Sequence, residues 1–165
     1  MDASVMPELL LLRHGIAEER APDRVDAARA LTAAGRIRTG AVLERLVAQG
    51  LGCERLFSSP LVRAQQTAAL AVAAGLAPTL ELAPGLAPDG DPWPLLHWPA
   101  GVRRLALVGH EPDLGILVAG LIGAPAGCLV LKKAGIALVQ ITAPSPRPRG
   151  RLRLLLGPAQ LLAGS

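Results

Sequence analysis

Two short apolar runs end abruptly in polar residues of the same kind. Leu9-Leu10-Leu11-Leu12 runs straight into Arg13-His14-Gly15, and Leu105-Ala106-Leu107-Val108 runs straight into Gly109-His110-Glu111. Four or five uninterrupted apolar residues between turn signals suit a strand buried on both faces. Such strands are built into α/β sheets, where ligands lie beyond the carboxyl ends of the strands. The chain has three histidines, and two of them stand at these strand ends. If the two strands are parallel neighbours, both imidazoles face one crevice.

The rest of the chain reads as alternating elements. A charged, irregular surface loop is expected over 16–30. A helix is expected from Thr32, its cap, to Gln49, with Ile37, Ala41, Leu43, Leu46 and Val47 as its apolar stripe. A strand over 54–57 turns through Ser58-Ser59-Pro60 into a second helix that Gly75 stops; one of the two serines is expected to cap it, and contact of either with a phosphate is the alternative. A brief strand over 79–82 precedes a proline-rich stretch carrying Pro84, Pro88, Pro92, Pro94 and Pro99, with one helical turn near Trp93. After the strand at 104–108 come a helix over 112–122, a β segment over 134–142 and a strand over 151–156. The order β-α-β-α-β-β-α-β-β predicts an α/β fold with helices on both faces of a mixed, mostly parallel sheet. A chain of 165 residues suits one domain spanning 1–165.

Composition narrows the partners. With 51% hydrophobic and 18% charged residues the chain is not disordered. A net charge of +4 admits nucleic acid, a membrane surface or an anionic substrate. Phe57, Trp93 and Trp98 are its only aromatic residues, too few for base stacking. The uncharged stretch 114–131 has the minimum length for a membrane span, but Gly115, Gly120, Gly123, Pro125 and Gly127 interrupt it. A buried helix followed by a strand is the expectation there, so no membrane and no nucleic acid are expected. The first eight residues lack the basic region of a signal peptide. Cys53 and Cys128 form no CxxC pair and have no histidine at metal-ligand spacing. Two reduced thiols in a cytoplasmic protein are the reading.

Arg63 falls on the first turn of the second helix, where backbone N–H groups and the helix dipole favour an anion. Arg13, Arg63, His14 and His110 are therefore expected to form a cationic cup for one phosphoryl group. A neutral imidazole can take up that group as phosphohistidine and divide one displacement into two. Glu18, Glu19 and Glu111 are read as solvated or structural, and so are His97 and Lys132-Lys133. Arg147, Arg149, Arg151 and Arg153 are read as an exposed hairpin, with a docking patch for an acidic partner as the alternative.

Leu11-Leu12-Arg13-His14-Gly15, the stretch Ser58-Ser59-Pro60-Leu61-Val62-Arg63-Ala64-Gln65-Gln66-Thr67-Ala68 and Val108-Gly109-His110-Glu111-Pro112-Asp113-Leu114 stand in order along the chain. They resemble the three signatures of the histidine phosphatase (phosphoglycerate-mutase-like) superfamily. The short chain is similar to its small bacterial SixA-type branch. The resemblance implies a three-layer α/β/α fold without a large lid insertion and a phosphatase working without metal or cofactor. It implies His14 as nucleophile, His110 as the second histidine, and Arg13 and Arg63 as phosphate ligands. Larger members carry a glutamate acid where Pro88 stands here, which leaves Asp89 or Asp91 as a stand-in general acid. An imidazole leaving group needs less protonic help than an alkoxide. Phosphohistidine on a phosphotransfer or phosphocarrier protein is thus the expected substrate. A small phosphate monoester is the alternative, and a non-catalytic phosphoprotein-binding module is a lesser one.

Overall fold

The leucine run becomes strand β1 (Glu8–Arg13) at the heart of a six-stranded sheet. The computed structural model describes residues 6–144 and 146–164, so the first five residues, with their leader-peptide reading, lie outside it. After β1 come α1 (Ala33–Ala48), β2 (Arg55–Ser58), α2 (Val62–Ala73), β3 (Glu81–Leu82) and β4 (Arg104–Gly109). Then follow α3 (Asp113–Ile122), β5 (Ile136–Ala143), β6 (Arg149–Leu156) and the single turn α4 (Pro158–Leu161). The strand order is β3-β2-β4-β1-β5-β6. The four strands β3, β2, β4 and β1 are parallel, β5 pairs antiparallel with β1, and β6 pairs antiparallel with β5.

Side chains on β1 alternate between the two faces of the sheet. Leu10 and Leu12 pack with Val42, Leu43 and Leu46 of α1 and Ala64, Ala68 and Ala71 of α2. Leu9 and Leu11 pack on the other face with Leu114, Leu117, Val118 and Leu121 of α3. Helices therefore cover both faces, and all four leucines are fully buried, each contributing roughly 1.5 to 3 kcal/mol of transfer free energy.

Local chemistry sets the ends of the elements. Thr32 caps α1 by accepting the Gly35 N–H at 2.9 Å. Gly75, at φ +85°, follows the end of α2. No helix among the described residues is long and apolar enough to cross a membrane. The strand expected behind the helix within 114–131 does not form: Gly123, Pro125 and Gly127 favour turns, and the stretch is irregular until β5 begins at Ile136.

Three further expectations need correction. Ile37 is 76% exposed, and the buried face of α1 is Gly35, Thr39, Val42, Leu43 and Leu46. The strand expected over 79–82 shrinks to two residues at the sheet edge. Neither Ser58 nor Ser59 caps α2: its N-cap position is Leu61, which has no side-chain cap.

Candidate active site

Parallel pairing of β1 with β4 places Arg13 opposite Gly109, so the residues that follow, His14 and His110, leave the sheet side by side. Their ring centroids are 5.1 Å apart, and both side chains are nearly fully buried. Strand β2 lies on the other side of β4 and delivers Ser59 to the same place. Arg63 on the first turn of α2 reaches in at 3% exposure, with its Nε 3.4 Å from His14 Nε2. A cleft of about 530 Å³ opens there, and Arg13, His14, Arg63 and His110 all line it.

Two links hold His14 in place. Gly15 N–H donates to Thr67 Oγ1 at 3.1 Å, and that hydroxyl donates to the Arg63 carbonyl at 2.8 Å. The exit from β1 is thereby tied to the same turn of α2 that carries Arg63. Residue 15 must be glycine, since a Cβ there would stand 2.1 Å from Thr39 Oγ1. The second link orients the ring. His14 Nδ1 lies 2.7 Å from the Gly15 carbonyl oxygen, which can only accept. Nδ1 therefore carries the hydrogen, and Nε2 presents its lone pair beside Arg63. Burial, opposed in part by the Gly15 hydrogen bond and reinforced by the charges of Arg63 and Arg13, pushes the His14 pKa down to about 3. The ring is neutral at pH 7.

His110 is also held neutral, its pKa pushed down to about 4 by burial and then by the charge of Arg63. Its Nε2 is 2.7 Å from Ser59 Oγ. Ser59 Oγ already accepts the Leu61 N–H at 3.2 Å. Its own hydrogen therefore goes to His110 Nε2: among the described residues that tautomer leaves one buried group unpaired, the Nδ1–H, whereas the other leaves two, the Ser59 hydroxyl hydrogen and the Nδ1 lone pair. His110 then carries its proton on Nδ1. Among the described residues, His110 Nδ1 and Arg13 Nε are buried donors with no protein acceptor. Arg13 is anchored through its NH1, which donates to the Leu131 carbonyl at 2.9 Å.

The loop before α1, expected to be only surface, forms one wall of the cleft. Its Asp26 carbonyl accepts from Arg63 NH1 at 2.9 Å, and its carboxylate lies 3.2 Å from Arg63 NH2 and 2.9 Å from Arg29 Nε. Burial pushes the Asp26 pKa up, but the Arg29 hydrogen bond and the Arg63 charge prevail and hold it below the usual carboxylate range. Asp26 and Arg29 are the residues that sequence reasoning passed over, and Ser59, read there as a cap or a phosphate contact, stands here as the partner of His110. The signal for Asp26 was its position in a charged loop between two recognised elements.

The two general-acid candidates separate. Asp89 lines the cleft beside Pro88, in the left-handed region at φ 63°, with its N–H on Asp113 Oδ2 at 3.0 Å. Asp91 does not line it: its Oδ1 accepts the Trp93 N–H at 3.1 Å, which steadies a helical turn. Glu111 lines the cleft but accepts the Gly115 N–H at 2.9 Å within α3. Lys133 also lines the cleft, whereas His97 is exposed and away from it. Cys53 is buried and Cys128 exposed, both as free thiols.

A doubly covered, mostly parallel sheet with this cleft at its strand ends is the framework of an α/β phosphatase. The model of the histidine phosphatase superfamily (branch 1) matches residues 9–87. An uncharacterised protein of Picosynechococcus is 44% identical over 135 residues, which are 78% of this chain and 82% of that relative. The solved structure of the protein histidine phosphatase SixA complexed with tungstate superposes with a TM-score of 0.81 at 27% identity, covering 93% of this chain and 99% of that one. A protein assigned as a SixA phosphohistidine phosphatase in Agrobacterium tumefaciens shares the fold, with a TM-score of 0.78 at 22% identity over 93% and 99% of the two chains. The chain belongs to the histidine phosphatase superfamily, in its SixA-like branch, and it is a phosphatase.

Proposed function

We propose that the protein hydrolyses phosphohistidine borne on another protein, through a phosphoryl group held on His14. The observation that carries this reading is the 2.7 Å contact of His14 Nδ1 with the Gly15 carbonyl, which leaves Nε2 as a neutral, aimed nucleophile. The Nε2 lone pair attacks phosphorus. The P–N bond of the substrate breaks, its electron pair goes to the departing imidazole, and that nitrogen takes a proton from water. In the second step water attacks the phosphorus on His14, the P–Nε2 bond breaks, and inorganic phosphate leaves with His14 neutral again.

Charge neutralisation is the main demand of such a transfer. Arg63 lies against Nε2, and Arg13 Nε and His110 Nδ1 are donors without protein acceptors, as phosphoryl oxygens require. His110 is a donor here rather than an acid, because a neutral imidazole offers a hydrogen bond and keeps its proton.

The choice of leaving group rests on acid supply. Of the two carboxyl candidates, Asp91 is spent on a backbone turn and only Asp89 stands at the cleft. A general acid is typically worth about 10² to 10⁴ in rate for a poor leaving group. A phosphoramidate, whose imidazole needs less protonic help than an alkoxide, suits a cleft that only one of the two expected acids, Asp89, reaches. The test compares kcat/KM on a phosphohistidine peptide and on an alkyl phosphomonoester. Faster turnover of the peptide is expected, and faster turnover of the ester overturns the reading in favour of a small-molecule phosphatase.

A further inference from the structure

The cleft does not end at the phosphoryl cup. A second groove of about 550 Å³ shares Arg13 and Lys133 with it and continues across Ile16, Arg38, Lys132 and Pro158. It lies between the outer side of α1, the turn that precedes β5 and the start of α4.

The charges on the two flanks of the cup are arranged differently. On the side of the loop before α1, Arg20, Arg24, Arg29 and Arg63 are each engaged by a carboxylate. Arg24 pairs with Glu18, and Arg20, Arg29 and Arg63 all pair with Asp26. On the groove side no carboxylate among the described residues lines the wall. Arg38, Lys132 and Lys133 are exposed there, and among the described residues none of their side chains has an ion pair or hydrogen bond. Three uncompensated cations beside a phosphoryl site create a local positive potential. Ile16, 39% exposed, adds an apolar contact at the same place.

We infer that this groove seats an acidic segment of the phosphorylated partner protein, next to its phosphohistidine. The inference rests on the phosphohistidine reading above and adds what that reading leaves open, the chemistry of the partner's surface. An acidic segment gains from Arg38, Lys132 and Lys133 only through exposed pairs, each of small worth and screened by salt. Three such pairs amount to about a tenfold preference at low ionic strength.

The experiment uses two synthetic peptides with one central phosphohistidine, flanked in one by Asp and Glu and in the other by Ser and Gln. Free phosphohistidine is the third substrate. Wild-type protein is compared with the double variant Arg38→Glu/Lys132→Glu, neither position of which lines the phosphoryl cup. The wild type should favour the acidic peptide about tenfold in kcat/KM at low salt, with the preference fading as salt rises toward about 0.5 M. The double variant should lose or invert the preference and turn over free phosphohistidine at the wild-type rate.

Equal turnover of both peptides by the wild type, or a preference retained in the double variant, overturns the groove assignment while the phosphohistidine reading stands. Turnover of an alkyl ester with none of the three phosphohistidine substrates overturns that reading, and the groove assignment falls with it.

Discussion

Strands β1 and β4 are buried along almost their whole length, whereas β6 alternates exposed and half-buried residues at the sheet edge. The two regions belong to one sheet but face different constraints. Strands β1 and β4 are covered on both faces, so polar residues are tolerated there only where the strands end. Those ends converge at one edge of the sheet, and His14, Ser59 and His110 all stand just beyond them. On β6 the exposed positions take arginines that solvent satisfies, among them Arg149, Arg151 and Arg153. A charge in this fold is therefore informative when it follows a buried strand and uninformative along an edge strand.

This contrast makes graded predictions. Arg63→Ala removes the guanidinium beside His14 Nε2, and kcat/KM on a phosphohistidine peptide should fall by about 10² to 10³. A loss below tenfold would place the phosphoryl oxygens elsewhere. Ser59→Ala frees the His110 ring and leaves its Nε2 without a partner. Turnover should fall about tenfold, as for other residues that orient a reacting group. The ¹⁵N shifts of His110 should then lose the Nδ1–H signature, which a purely structural role of Ser59 would leave in place. The smallest effect belongs to the edge strand. Arg151→Ser/Arg153→Ser should keep turnover within about twofold, and each change should alter stability by no more than about 0.5 kcal/mol. A large loss of activity there would break the distinction between the two regions.

The same distinction explains what could be read from the amino-acid sequence. β1, β4 and the histidines after them were legible because an apolar run followed by Arg-His-Gly or Gly-His-Glu is a local pattern. Arg63 was legible from its place on the first turn of a helix. Ile37 was misplaced because an alanine-rich helix offers several nearly equivalent apolar stripes, and the one containing Val42 faces the sheet. Asp26, and the pairing of Ser59 with His110, were missed for a different reason. Asp26 meets Arg63 across 37 positions and Ser59 meets His110 across 51, so no local pattern marks either contact. Ser59 also resembles an ordinary helix cap, a role that the fold leaves to no side chain at that helix.

The central claim is that His14 attacks through Nε2, because Nδ1 is committed to the Gly15 carbonyl. The direct measurement is to quench a turnover of phosphohistidine peptide in alkali, locate the phosphoryl group by mass spectrometry and assign the bonded nitrogen by ³¹P and ¹⁵N NMR. The account predicts a phosphoryl group on Nε2 of His14, absent from His14→Ala. A phosphoryl group on Nδ1 or on another residue, or turnover that persists in His14→Ala, would contradict it.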